Sequence, residues 1–183
     1  MNQAITSYLN DTYLYEFKHW PDTIHTQQEA LARGLNCVSL AHLIDKSLFG
    51  IDLPESLRCI ELFYENPYYT TVNSVQDLQI GDLMFVAAKG EQEKIDIFIP
   101  RYDEQGNLLN GSEFPHMHIA IYAGEKDEQV DPLFIHANWI DKKVSLWPLR
   151  KFREYPRYEE IYAIKRIKLD LSAPKPAFPK KLD

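Results

Sequence analysis

At 183 residues and 45% hydrophobic content, the chain can bury a core whose apolar area outweighs chain entropy without covalent staples, so one domain spanning 1–183 is expected. Two cysteines, Cys37 and Cys59, make no disulfide framework, and no Cys/His cluster at ligand spacing surrounds them, which argues against a disulfide scaffold and against zinc. The net charge of −7 is uneven: residues 1–141 carry 8 basic and 22 acidic groups, residues 142–183 carry 12 and 5, and with no aromatic-rich basic motif this cationic end reads as a solvated face and tail, not a nucleic-acid surface.

The first twenty residues contain Asp11, Glu16 and several tyrosines and lack a basic start followed by an apolar run. They read as neither a secretory signal nor a membrane span, so a cytoplasmic protein is expected, with any export by a route that needs no amino-terminal signal. No glycine loop suited to a nucleotide is present, and no cofactor is expected.

In chain order, Ile5, Tyr8, Leu9 and Tyr13 fall at helical spacing and predict a helix over 4–17, ended by Pro21, as the start of an amino-terminal helical extension over 1–33. The run TQQEALARG predicts a short helix with Thr26 as N-cap and Gly34 as stop. In NCVSLAHLIDKSLFG the residues Leu40, Leu43, Ile44 and Leu48 recur at i, i+3, i+4 and i+8, and Gly50 closes the segment. Cys37 therefore stands in the first turn of a helix. Beyond Pro67 the pattern changes to short β-branched and aromatic runs, predicting strands near Leu83–Ala87, Ile95–Arg101, Met117–Ala123, Leu133–Ala137, Val144–Trp147 and Glu160–Ile167. Residues 170–183 form a Pro/Lys-rich tail. Helices first and antiparallel strands afterwards give an α+β class, with the Cys37 helix packed on the sheet.

The chemistry concentrates on three residues. A thiol attacks as thiolate, and the first turn of a helix, with its free N–H groups and dipole, favours that anion at Cys37. Cys59, amid Leu57, Ile60 and Leu62, reads as a small buried hydrophobe. In HMHIAIYAG, period two puts His116, His118, Ala120 and Tyr122 on one face; in LFIHAN it puts Phe134, His136 and Asn138 on one face. Adjacent antiparallel strands then bring His118 beside His136, a base beside the group that orients it. Asn138 is the alternative orienter and His116 the alternative base. His19 and His42 read as structural, and the close pair His116 and His118 lacks a carboxylate at a ligand spacing, so no metal is expected.

The order GLNCVSLAHLI, LQIGDLMFV, HIAIYAG and FIHA resembles the NlpC-type peptidases over roughly Gly34 to Trp147. These have a cysteine opening a helix, a Gly-Asp turn starting the first core strand, a histidine strand, and a polar residue on the next. The resemblance implies a papain-like fold in which Cys37 attacks an amide, His118 is the base and His136 orients it. The implied partner is a peptide or amide substrate, with a peptidoglycan fragment as the family's own; no nucleic acid and no membrane are expected. Around the nucleophile this chain departs from the family's Asp-Cys-Ser-Gly, reading Asn36, Cys37, Val38 and Ser39, and the family tyrosine about a dozen residues before the cysteine is absent, with His25 nearest that place. The expected oxyanion donors are the Cys37 N–H and a group from the preceding segment, His25 or Gln28. Residues 89–115 read as an insertion bordering the cleft as a lid. Two other readings stay open: acyl transfer in the manner of transglutaminase-like relatives, and a binding module that has lost catalysis.

Overall fold

The computed structural model describes residues 1–169 except Asp11, Phe17–Thr23 and Glu65. His19 and the tail 170–183 lie outside the described residues. Its helices are α1 (Gln3–Thr6), α2 (Gln27–Arg33), α3 (Cys37–Phe49), α4 (Cys59–Phe63), α5 (Gln92–Ile97) and α6 (Leu149–Arg153). Its strands are β1 (Tyr69–Thr71), β2 (Leu83–Ala87), β3 (His118–Lys126), β4 (Pro132–Asn138), β5 (Lys143–Pro148) and β6 (Glu160–Ile167). All six join one antiparallel sheet in the order β1-β6-β2-β3-β4-β5, giving an α+β architecture.

Local chemistry accounts for the helix limits. Thr26 accepts from the Glu29 N–H while the Glu29 carboxylate accepts the Thr26 N–H, a reciprocal capping box that starts α2. Asn36 accepts from the Ser39 N–H at 2.8 Å and starts α3 at Cys37, and Gly50, left-handed at φ 69°, ends it. Between these helices Gly34 is required: its φ is +78°, and the Glu16 side chain packs where a Cβ would stand. Gly81, before β2, is equally constrained, at φ +88° with the Phe49 ring 2.7 Å from the position of a Cβ. The neighbouring Asp82 accepts from the Gln79 N–H at 2.8 Å and from the Arg166 side chain at 2.7 Å, which ties this turn to β6.

Strand alternation sorts the core into two layers. Leu83, Phe85, Ile119, Ile121, Ile135 and Ala137 face α3, where Leu40, Ala41, Leu43 and Ile44 meet them together with Ile5, Tyr8 and Tyr13. Each fully buried Leu or Ile contributes about 1.5–3 kcal/mol of transfer free energy to that layer. Met84, Val86, Ala120, Tyr122, Phe134 and Trp147 face the other way, against Leu149 and Phe152 of α6 and Tyr158 beyond it. His118 and His136, by strand phase, belong to this second face.

Two predicted elements differ. The helix expected over 4–17 stops at Thr6, because the Asn10 side chain accepts the Thr12 N–H and turns the chain; Leu14 and Tyr15 then run extended, bridging Lys143 and Leu35. The strand expected at Ile95–Arg101 is α5 and an irregular continuation. Ile95 and Phe98 are spaced to turn together into a cluster with Ile60 and Phe114, whereas Ile97 and Ile99 stay 72% and 75% exposed. Helical spacing to an aromatic neighbour outweighed the β-branched alternation. This 89–115 segment packs on α4, with the Tyr64 hydroxyl donating to the Ile95 carbonyl at 3.1 Å. The short elements α4, α6 and β1 were not predicted.

Within the described part of the cationic end, several charges are paired or buried. Arg150 pairs with Asp127 and Asp131, Arg166 with Asp82, and Lys165 is buried with its Nζ donating to Thr71 at 3.1 Å. Among the described residues, no helix is long and apolar enough to cross a membrane.

Asp45 carries a testable cost. It is fully buried in α3, receives the Tyr69 hydroxyl on one oxygen, and has no partner for the other among the described residues. Burial pushes its carboxyl from an ordinary 3.8 to about 7, against the Tyr69 hydrogen bond. The folded chain thus keeps a proton that the unfolded chain releases, so stability falls as pH rises from about 4 to about 7 and is level above. Asp45→Asn should remove that dependence: its urea midpoint relative to wild type rises between pH 4.5 and pH 8, by about 3 kcal/mol of unfolding free energy. A constant difference across that range would show that the carboxyl does not titrate there.

Candidate functional site

Cys37 is the first residue of α3, where N–H groups lack intrahelical partners. Residues 14–16 run beside it: Leu35 N–H donates to Leu14 O at 2.8 Å and Glu16 N–H to Leu35 O at 2.9 Å. This small ladder fixes Tyr15 two residues from the nucleophile helix. The Tyr15 phenol lies within electrostatic range of Cys37: its pKa is raised first by burial and then by Cys37. The Tyr158 phenol is raised in the same way, first by burial and then by Cys37, with the Trp139 side chain partly opposing. The Tyr158 ring also stacks on His118 at 4.7 Å between centroids. Cys37, Tyr15, Tyr158 and His118 therefore share one locality.

His118 and His136 are joined by a hydrogen bond, Nε2 to Nδ1, of 3.0 Å. The pairs Ile121↔Ile135 and Tyr122↔Phe134 set the register of β3 on β4; continued toward the start of β3, that register sets His118 opposite Asn138 and His136 opposite Ala120. The two imidazoles meet on the diagonal. Asn138, directly opposite His118, is used elsewhere: its amide donates to Asp141 at 2.7 Å and its carbonyl accepts from the Ile140 N–H at 2.9 Å, closing the turn into β5. His116 is exposed and outside the pair.

The resting protonation state differs from the thiolate–imidazolium pair expected from helix position. Burial pushes the Cys37 thiol up, and the N–H groups of Ile119, Val38 and Cys37 itself only partly oppose it. The residue itself is half-buried. Burial likewise holds His118 down, to about 3, and His136 well below its usual range, the latter also through the charges of His118 and Lys151. No hydrogen bond joins the thiol to His118. The site rests as a neutral thiol beside two neutral imidazoles.

For His118 Nδ1 to take a proton, Nε2 must already carry one and donate it to His136 Nδ1. His136 then carries its own proton on Nε2, an atom that is buried without a hydrogen-bond partner among the described residues, inside a ring of Trp147, Phe152 and Tyr158. An unpartnered buried N–H costs about 1–3 kcal/mol.

The remaining sequence candidates lie elsewhere or do structural work. His25 is exposed and bonds Glu55 at 3.0 Å, beside a small cavity lined by Ile24, His42, Leu43, Lys46, Asp52 and Leu53. That cavity flanks the second and third turns of α3, away from its amino end, so His25 is not placed as an oxyanion donor. Gln28 is exposed in the first turn of α2 and shows no contact with Cys37. Asn36 caps α3 through Ser39. His42 is buried and donates from Nε2 to the Leu57 carbonyl at 2.9 Å. Cys59 opens α4, donates to the Met117 carbonyl at 3.8 Å, and has its thiol raised well above the usual range by burial and then by the charge of Cys37.

Sequence reasoning missed Tyr15, because residues 4–17 were read with a helical period. The alternation of YLYEF, with Tyr13 in the core and Leu14 54% exposed, was the available signal of extended chain. Among the described residues, no group of three His, Cys, Asp or Glu side chains could hold a metal ion. No protein-family model matches the chain, and no curated protein matches it.

Proposed function

We propose that the chain is a cysteine hydrolase of papain-like, NlpC-type architecture that cleaves an amide or peptide bond through Cys37, His118 and His136. The observation that carries this reading is the His118–His136 hydrogen bond at 3.0 Å, which leaves Nδ1 of His118 as the free base in the locality of a cysteine opening a helix. Support also comes from the packing of α3 on β3 and β4 and from the pairing of Tyr15 with Leu35, which brings that tyrosine into the locality of Cys37.

In this reading sulfur attacks the carbonyl carbon while its proton passes to His118 Nδ1, so the buried site never holds a long-lived ion pair. His118 Nε2–H keeps donating to His136, which disperses the imidazolium charge. The developing oxyanion accepts from the Cys37 N–H and the Tyr15 hydroxyl. His118 then protonates the departing amine, leaving a thioester on Cys37. Water, deprotonated by His118, adds to that thioester and releases a carboxylic acid and the free thiol. The substrate is a small peptide or a peptidoglycan fragment.

A panel of peptides, simple amides and muropeptides, assayed with wild type and Cys37→Ala, tests this. Hydrolysis of at least one member, lost in the variant, is expected. Activity unchanged by Cys37→Ala overturns the reading, and new amide formed in high yield with added amine replaces hydrolysis by acyl transfer. One observation favours a module without catalysis: the thiol, raised by burial and not hydrogen-bonded to His118. A panel with no turnover at all is its expected result.

A further inference from the structure

Arg157 lies in the turn between α6 and β6, immediately before Tyr158. Its guanidinium sits over the Trp139 ring at 5.2 Å from the centroid, and Arg157 directly precedes Tyr158, whose ring stacks on His118 at 4.7 Å and whose phenol is stabilised in its charged form by both Trp139 and Arg157. Arg157, Trp139, Tyr158 and His118 are thus linked, from an exposed cation inward to the proposed base. Most cations of this region have partners: Arg150 has Asp127 and Asp131, Arg166 has Asp82, and Lys151 lies over Trp147 at 4.0 Å. Arg157 has no carboxylate partner among the described residues, and Trp139, itself 38% exposed, holds it through its ring face instead. A stacked guanidinium keeps its fork of N–H donors free, which suits a carboxylate, and the aromatic contact removes part of the entropy a free arginine would lose on binding one.

We propose that Arg157 is the specificity-determining cation of the Cys37 site, taking a carboxylate borne by the substrate close to the scissile carbonyl, with Trp139 as the platform that aims it. The inference rests on Cys37 being the reactive nucleophile. It narrows the substrate class to acidic acyl compounds: a peptide with a free carboxyl end, or one with an Asp or Glu side chain beside the cleaved bond. The carboxylate is bound and not transformed.

Alkylation of Cys37 reads this without a known substrate. Iodoacetate and iodoacetamide transfer the same methylene carbon to the thiolate, with loss of iodide, and differ only in charge. Rates are followed at Cys37 by peptide mapping, which separates it from Cys59, and the iodoacetate-to-iodoacetamide ratio is referred to that of a small free thiol. The ratio should be raised about fivefold in wild type. It should return to the free-thiol value in Arg157→Gln, be largely kept in Arg157→Lys, and decline with added salt. A wild-type ratio equal to that of the free thiol, or one unmoved by Arg157→Gln, overturns the role of Arg157 and leaves the nucleophile standing. No labelling of Cys37 by either reagent removes the nucleophile reading, and this inference with it.

Discussion

Cys37→Ala and His118→Ala are each expected to lower amide hydrolysis on the order of 10⁴-fold, with the double variant falling no further. The reason is that the two groups act in one step. A neutral thiol is a poor nucleophile, and here burial holds the thiol up and the imidazole down, so neither group is ionised in advance. Sulfur becomes nucleophilic only as His118 takes its proton. Removing either partner removes the whole step, and what is left comes from binding and the oxyanion donors. kcat/KM of both single variants and the double variant, on whichever panel member turns over, checks this. Losses that multiply in the double variant would mean that the residues work independently and that His118 is not the base for Cys37.

His136 should separate activity from stability. His136→Leu is expected to lower kcat about 10²–10³-fold with little change in KM, because His118 then has no acceptor for its Nε2 proton and loses the competent tautomer. His136→Asn, which keeps an acceptor, should recover part of that loss. Stability should move the other way in acid. His118 and His136 are held neutral in the folded chain, with His118 depressed from an ordinary 6.5 to about 3. The unfolded chain therefore binds protons that the folded one refuses, and stability falls as pH drops through 6.5 toward 3. His136→Leu deletes one of these groups and the unpartnered Nε2 atom, so its urea midpoint relative to wild type should rise between pH 8 and pH 5. Activity within about threefold of wild type in His136→Leu would remove the positioning role. An unchanged acid profile would show that His136 is not held neutral by the fold.

The two effects share a cause. A pair of imidazoles enclosed by Trp147, Phe152 and Tyr158 is poor design for stability, since those rings offer no acceptor for the second His136 nitrogen. It is suited to keeping a base neutral near pH 7, where an imidazolium could not accept the thiol proton. That burial keeps His118 neutral but also weakens it as a base, and it holds Cys37 as a thiol, so both shifts oppose proton transfer in the resting site.

Much of this was local and hence legible. Thr26, Asn36, Gly34 and Gly50 mark helix limits through caps and left-handed turns, which depend on a few neighbouring residues, so α2 and α3 stand where the residues predict them. β2 and β6 match their predicted limits, and β3, β4 and β5 differ only at their ends, because alternation against a two-layer core is strict. Phase alone set His118 and His136 on one face of the sheet. What phase does not contain is register and side-chain choice. His136, not Asn138, is the partner because Asp141 and the Ile140 N–H occupy the Asn138 amide, a competition set by the turn into β5. Ile95–Arg101 alternates like a strand but has Phe114 and Ile60 to pack against and no strand beside it, so tertiary contact decided for helix.

The sequence by itself determined that this is an α+β chain with Cys37 opening a helix and two histidines sharing one sheet face, since helix caps, helical spacing and strand alternation are short-range properties of the residues. Only the tertiary structure decided that Tyr15 rather than His25 lies in the locality of Cys37, that the thiol and imidazoles rest neutral, and that Arg157 is held by Trp139 without a carboxylate among the described residues, because burial and the meeting of distant segments are settled by packing.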